Sequence, residues 1–364
     1  MLRDNIEEVK ERHAAWWAGK SIKRPLIHLI AKREGVGEIQ TELFDDYRDS
    51  YLNVQKIIAN YLSYKASHTY DYGDSIPMRH ISLGAGSLAL YLGSEPEFSD
   101  GTIWFKECIE DIENYPPLVF DPENKWWKLH LQMLEEAVAL ARGEIMIPVP
   151  DLIENIDIFA AMRGPQNTCY DIVDYPERVA KFILDIDNCY FDHYDKMYDI
   201  VKESDGWSCE HFNVFGPGKM GKVQCDFSAM MSPDSFEELI VPSLKKQCAG
   251  FNNSIYHLDG RAATRHLDAL MTVDELTAMQ FTAGAGEVCS GDSEWYFIYD
   301  KIREHGKSLY VGLDYTSNIR QTVSYADALV KRYGSDGLYL LFPEMEESLA
   351  REIKEHADTV WSVK

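Results

Sequence analysis

Short apolar runs alternate along this chain with longer segments that mix apolar and polar positions. Eight runs have the length of a β-strand, and the amphipathic segments between them are typical of helices that cover a parallel sheet. The predicted strands cover residues 25–30, 76–83, 145–149, 207–215, 254–257, 278–281, 308–313 and 337–342. Eight is the number of parallel strands that closes a TIM barrel, so the pattern favours an α/β protein with a (β/α)8 fold.

Residues 84–127 depart from the alternating pattern. They are rich in glycine, proline, aromatic and acidic residues and show little periodicity. Long irregular segments in compact proteins often serve as functional lids. We therefore expect a lid-like excursion after the second strand, over the mouth of the barrel.

The most informative segment is 222–261, where two apolar runs end in ionisable residues on either side of a predicted helix. Asp226 follows the first run, and His257 and Asp259 end the second. In an α/β barrel, the side chains at the carboxyl ends of the strands converge on one mouth. We predict that these three residues belong to a catalytic site.

Other candidates are polar residues on or just after the predicted strands. Glu210 and His211 point to opposite faces of the fourth run, and the residues around them do not settle which faces inward. We favour Glu210 for catalysis and keep His211 as the alternative. Contacts to a substrate are expected from His28, Arg79, Asp151, His211 and Gln280.

Charge and composition narrow the expected partners. The chain has 364 residues, and its formal net charge of −24 argues against nucleic acid and anionic membranes, which require a clustered basic surface. No segment approaches the ~20 consecutive apolar residues of a membrane span, so we expect a soluble cytoplasmic protein that acts on a small molecule. The seven cysteines show no CxxC spacing, which favours reduced thiols over a disulfide framework.

Several short motifs, taken in order, resemble the uroporphyrinogen decarboxylase superfamily. This superfamily joins the haem-pathway decarboxylase to zinc-dependent corrinoid and thiol methyltransferases on a (β/α)8 barrel. The resemblance covers nearly the whole chain, so it implies one TIM-barrel domain over residues 1–364 and mildly favours a homodimer. The motifs are Arg24-Pro-Leu26, Met162-Arg-Gly164, Asp174-Tyr-Pro-Glu177, Met231-Ser-Pro233 and His257-Leu-Asp-Gly260.

The two activities of this superfamily make different demands on the sequence. The decarboxylase binds a substrate with many carboxylates through a basic motif of the form MRQAGR, whereas the stretch after Pro25 here reads LIHLIAKR. The methyltransferases hold zinc with His-X-Cys and a later cysteine. This chain keeps His257 but has Asp259 in place of the first cysteine, and its last predicted strand leads to Glu344 without a cysteine.

The resemblance therefore implies a metal site of altered composition. His257 and Asp259 are two residues apart on a predicted strand and point the same way, so they are able to share an ion. A carboxylate is an acceptable zinc ligand, and Glu344 is a candidate for a further oxygen ligand. Glu210, His211 and Cys225 are alternatives for the remaining positions.

We expect a methyltransferase that moves a methyl group between a small molecule and a corrinoid protein, a thiol or a folate-type acceptor. In this hypothesis a zinc ion held by His257 and Asp259 activates the acceptor or polarises the substrate, and Asp226 orients it. One alternative is a decarboxylase of a tetrapyrrole or another carboxylated small molecule. A further alternative is a catalytically silent barrel that binds a ligand.

Overall fold

A computed structural model describes residues 2–37, 39–313 and 318–362. The strands are β1 (Leu26–His28), β2 (Ala31–Lys32), β3 (His68–Thr69), β4 (Pro96–Phe98), β5 (Ile103–Phe105), β6 (Trp207–Glu210), β7 (Val214–Pro217), β8 (Met220–Gln224), β9 (Asn253–Asp259), β10 (Ala278–Thr282), β11 (Ser308–Gly312), β12 (Leu338–Leu341) and β13 (Met345–Glu346). The α-helices are α1 (Ile6–Trp17), α2 (Tyr47–Leu52), α3 (Val54–Ser67), α4 (Leu88–Tyr91), α5 (Lys125–Ala141), α6 (Asn155–Arg163), α7 (Pro165–Asp174), α8 (Pro176–Val201), α9 (Pro233–Ala249), α10 (Gly260–Ala263), α11 (Leu267–Met271), α12 (Tyr296–Glu304), α13 (Ile319–Tyr333) and α14 (Glu347–Val360).

The centre of the fold is a parallel sheet of six strands in the order β1-β12-β11-β10-β9-β8. Five of these strands overlap predicted apolar runs, and long helices alternate with them along the chain. The predicted α/β class with a central parallel sheet is therefore confirmed. Within the described residues, however, the hydrogen-bonded strands do not close into the predicted barrel of eight.

The second and third predicted strands, 76–83 and 145–149, were wrong as regular strands. They meet only at an isolated parallel bridge between Met78 and Met146. Pro77 and Pro148 lie beside this bridge, and proline has no N–H to donate to a ladder. The prolines therefore limit hydrogen bonding in the part of the wall where the sequence predicted two full strands.

The fourth predicted strand, 207–215, was also wrong, because the chain reverses within it. β6 and β7 form an antiparallel hairpin in which Cys209 pairs with Phe215. Asn213 takes the left-handed conformation at φ 55°, which asparagine tolerates better than most residues. The chain then continues into β8, a strand that was absent from the predicted set.

Apolar side chains fill the amino-terminal half of the sheet's inner face. Alternation along the strands sends every second residue inward, and helix α1 covers this end with two tryptophans. Trp16 Nε1 donates to the Leu309 carbonyl at 3.2 Å, and Trp17 Nε1 donates to the Phe215 carbonyl at 2.9 Å. The cluster contains Trp16, Trp17, Leu26, Val214, Met220, Ile255, Ala278, Tyr310 and Tyr339. The polar carboxyl ends of the strands are thus left for the candidate site.

The predicted helix after Asp226 is present as α9, and Ser232 is its N-cap, with Oγ accepting from the Ser235 amide at 3.1 Å. The excursion over 84–127 contains helix α4 and the antiparallel β4–β5 hairpin. None of the helices in the described ranges combines the length and apolar character needed to cross a bilayer.

Candidate active site

Three of the predicted residues lie together at the carboxyl ends of β8 and β9. Asp226, His257 and Asp259 each offer a ligand atom, and these atoms all lie within 4.8 Å of one another. The sheet register pairs Gln224 with His257, and Asp226 is two residues beyond the end of β8, on the Asp259 side of this pair. His257 and Asp259 share a face because strand side chains alternate, as the spacing predicted.

His257 is oriented by its neighbour on β10. Its Nδ1 lies 2.5 Å from the side-chain oxygen of Gln280, whose amide nitrogen donates to Thr282 Oγ1 at 2.9 Å. Because the Gln280 amide nitrogen is engaged with Thr282, its oxygen accepts from His257 Nδ1–H. The Nε2 lone pair is then available for a ligand, which is how a metal-binding histidine is usually held. The Phe212 ring lies 4.8 Å from the imidazole and covers it.

Asp226 is held by contacts to both its side chain and its backbone. Gln224 Nε2 donates to Oδ2 of Asp226 at 2.9 Å. The carboxylate of Asp157, on helix α6, accepts from the amides of Asp226 at 2.8 Å and Phe227 at 2.9 Å. Burial and the nearby Asp226 raise the pKa of Asp157 to about 6. Burial also raises the pKa of Asp226, partly countered by His257 and Lys222.

A buried ion pair lies beneath this group. Lys222 Nζ lies 2.7 Å from Oδ1 of Asp151, and it also donates to the Gln224 side-chain oxygen. Burial alone would raise the pKa of Asp151, but the Lys222 ammonium outweighs it and the pKa is lowered. The predicted substrate residue Asp151 is therefore engaged as the counter-ion of Lys222.

Two further carboxyl groups near Lys222 favour the neutral form. Burial raises the pKa of Glu154 and Glu210 well above the ordinary value, despite the nearby ammonium. Glu210 accepts from the His211 amide at 2.6 Å and is buried, and in its neutral form a carboxyl group is able to donate a proton.

The remaining substrate candidates are distributed at two depths. His211 is exposed at the hairpin turn and its ring lies 4.8 Å from that of His80, with Arg79 also exposed on the adjoining segment. His28 is buried, and burial lowers its pKa to about 3. Its Nδ1 lies 3.4 Å from the Tyr339 hydroxyl. Gln280 acts on His257, as described above.

Glu344 is outside the cluster that contains His257. Its carboxylate oxygens instead contact the Tyr64 hydroxyl at 2.5 Å and His68 Nε2 at 3.1 Å. Cys225, the predicted cysteine alternative, does not favour the thiolate form that binds metal, because it is buried and burial raises the pKa of its thiol well above the ordinary value. The described site therefore offers one imidazole nitrogen and two carboxylates, without a thiolate.

Sequence reasoning missed Asp157, Glu154 and Lys222. The two acids lie at the start of α6, where the helix dipole stabilises acidic residues, so their positions carried no functional signal in the sequence. Lys222 lies in a strand that was not predicted. Its only signal was a lysine inside a short apolar run.

The donor set of Asp226, His257 and Asp259 fits a divalent cation that accepts oxygen and nitrogen ligands. The hydrogen bond from His257 to Gln280 supplies the outer support that such sites carry.

Comparison with known proteins adds a fold relationship. No protein-family profile matches the sequence, and no curated protein matches it significantly. A methyltransferase from Methanosarcina mazei has a similar structure, with a TM-score of 0.62, 10% sequence identity, and coverage of 95% of this chain and 98% of that chain. At this identity the likeness shows a shared fold over nearly the full length of both chains.

Proposed function

We propose that this protein is a methyltransferase that uses the Asp226, His257 and Asp259 cluster to hold a divalent metal ion. The observation that carries the proposal is the placement of these donors at the carboxyl ends of adjacent strands, with His257 already oriented by Gln280. The fold shared with a methyltransferase and the superfamily resemblance support the same reaction class.

The proposed reaction moves a methyl group from a small molecule to a corrinoid, thiol or folate-type acceptor. The bond between the methyl carbon and its donor atom breaks, and its electron pair stays on the donor atom. The new bond forms with an electron pair of the acceptor. A bound metal ion would act as a Lewis acid that lowers the pKa of a thiol or polarises a donor heteroatom.

The residues around the cluster have separate roles in this proposal. Asp157 is a positioning residue, because it holds the backbone that carries Asp226. Glu210 is a buried neutral acid that supplies a proton to the leaving group after local rearrangement. Phe212 excludes water from one side of His257.

Decarboxylation is the second candidate, since a neutral Glu210 would also protonate a carbanion. The charges at the site favour decarboxylation less, because Lys222 is already paired with Asp151 and is not free to bind a substrate carboxylate. The other ionisable groups of the site are mostly carboxyl groups, which the methyltransferase proposal uses as metal ligands and proton donor.

Metal content and product identity test the proposal. Protein purified without chelator should bind about one divalent ion per chain, and His257→Ala should lose it, while the exposed control His305→Ala should retain it. Wild-type enzyme should then release demethylated product from a methyl-donor panel in the presence of a corrinoid or thiol. Carbon dioxide release from carboxylated substrates by metal-free enzyme, without methyl transfer, would overturn it.

A further inference from the structure

An open cleft of about 510 Å³ adjoins the candidate site. One wall belongs to the excursion, chiefly strand β5, and the other wall belongs to helix α6. Asp226 and Gln224 also line it. Its volume is in the range that holds a small organic ligand, and its walls join the lid-like segment to Asp226, one of the proposed metal ligands.

Aromatic and aliphatic side chains form most of the cleft surface. The most exposed is Trp104 on β5, whose side chain is 64% accessible. A large aromatic residue at this degree of exposure, within a concave site, is typical of a ligand contact. The lining also contains Ile103, Phe105, Ile158, Phe227 and Met230.

The charged groups of the cleft are all acidic in the described part of the chain. Glu107, Asp157 and Asp226 line it, and no lysine, arginine or histidine does. The Glu107 carboxylate lies directly over Gly164, where a Cβ would approach Oε1 to 2.4 Å. Gly164 has a φ of 90°, so both backbone conformation and space favour glycine there.

We infer that the cleft binds a small organic cation whose positive charge is carried by a methylated nitrogen or sulfur. An onium group is large and weakly hydrated, and it binds favourably over an indole face with carboxylates nearby. Trp104 supplies the indole, and Glu107 and Asp226 supply carboxylates. The assignment of this cation as the methyl donor rests on the proposed function, whereas the cation site itself does not.

Neutral and anionic ligands lack this match. A neutral analogue of the same shape gains the apolar contacts but leaves the carboxylates without a counter-charge. An anion would approach acidic groups with no basic residue of the cleft to offset them. The charge of the ligand, at constant shape, is therefore the property to test.

Titration calorimetry with three ligands of the same branched shape provides the test. Choline, 3,3-dimethylbutan-1-ol and 3,3-dimethylbutanoate carry positive, zero and negative charge. In metal-free protein at 0.15 M salt, choline should bind about tenfold tighter than the alcohol, and the anion should show no binding. Equal affinity for choline and the alcohol would overturn the inference.

Variants locate the binding to the cleft. Trp104→Leu and Glu107→Gln change exposed side chains, and each should weaken choline binding at least threefold. Glu352→Gln on α14 removes the same charge at a distant exposed position and should leave the affinity unchanged. Unchanged choline affinity in both cleft variants would also overturn the inference.

The outcomes separate this inference from the proposed reaction. Choline binding that depends on Trp104 and Glu107, without demethylation of any donor, would refute methyl transfer and retain the cation site. Methyl transfer from neutral methyl ethers, without choline binding, would refute the cation site and retain the reaction.

Discussion

Replacement of Lys222 by methionine should lower the free energy of unfolding by about 3–5 kcal/mol, because it leaves a buried carboxylate without its counter-ion. The Lys222 side chain is 1% exposed and that of Asp151 is 9% exposed, with 2.7 Å between Nζ and Oδ1. Methionine retains an unbranched chain, so most of the loss comes from the missing charge. The neighbouring Glu154 and Glu210 are acids that favour the neutral form, so they cannot replace the positive charge of Lys222.

A double-mutant cycle isolates the pair. Asp151→Asn alone leaves the ammonium of Lys222 buried and unpaired, and should cost a similar amount. The double variant has neither charge and should lie within about 2 kcal/mol of the wild type, which gives a coupling energy of about 3 kcal/mol or more. Urea unfolding at pH 7.5 measures all four proteins.

The control is Lys219→Met, which removes one partner of a half-exposed pair. Lys219 lies 2.6 Å from Asp195, with side-chain exposures of 31% and 46%, so its loss should cost less than about 1 kcal/mol. The Lys222→Met loss should also shrink at low pH, because without the ammonium burial raises the pKa of Asp151 and the carboxyl takes up a proton. A loss below about 1 kcal/mol at pH 7.5, or additive single effects, would refute the reasoning.

Two further predictions concern a buried acid outside the site and the support of His257. Burial raises the pKa of Asp187 from 3.8 to about 6, although Ser243 and Gln247 donate hydrogen bonds to it. The unfolded chain therefore releases this proton at lower pH than the folded protein, and the free energy of unfolding falls between about pH 4 and pH 6. Asp187→Asn should remove this loss, so its gain in unfolding free energy over the wild type should grow from about pH 4 and reach about 2–3 kcal/mol above pH 6 in urea unfolding. Equal pH profiles of the two proteins would contradict it. Gln280→Leu removes the acceptor of His257 Nδ1–H and should weaken metal binding about 10–100-fold in a chelator competition titration. Unchanged metal affinity would show that Gln280 does not orient His257.

The sequence predicted five of the six strands of the central sheet and missed β8, although β8 forms a regular parallel ladder with β9. The runs at 254–257, 278–281, 308–313 and 337–342 lie in neighbouring strands of the central sheet. It failed where backbone chemistry interrupts an apolar run, as at Pro77 beside the Met78 bridge. It also failed at Asn213, where one left-handed residue reverses the chain inside a run that is apolar on both sides. Hydrophobic pattern records burial, whereas a proline or a left-handed residue acts on backbone hydrogen bonding and chain direction.

The candidate site divides in the same way. The two-residue spacing of His257 and Asp259 predicts a shared face, because this depends only on the alternation of one strand. The proximity of Asp226 depended on the family resemblance and on the barrel geometry that it implied. The acceptor on β10 and the acid on α6 come from elements distant in sequence, and no local pattern links Gln280 or Asp157 to the cluster.

Two residues with positive φ lie at the start of helix α6, beside the segment that leads to Asp226. Ile153 and Asn155 have positive φ values of 52° and 48°, conformations that cost of order 1–3 kcal/mol each and are rare for a β-branched residue. Between them, Glu154 accepts from the Gln224 amide at 2.6 Å, and Asn155 Nδ2 donates to the Gln224 carbonyl at 2.9 Å. β8 is an edge strand of the central sheet, so these contacts satisfy the backbone groups that a neighbouring strand would otherwise bond. The strained turn therefore bonds the edge of the sheet at Gln224, two residues before Asp226.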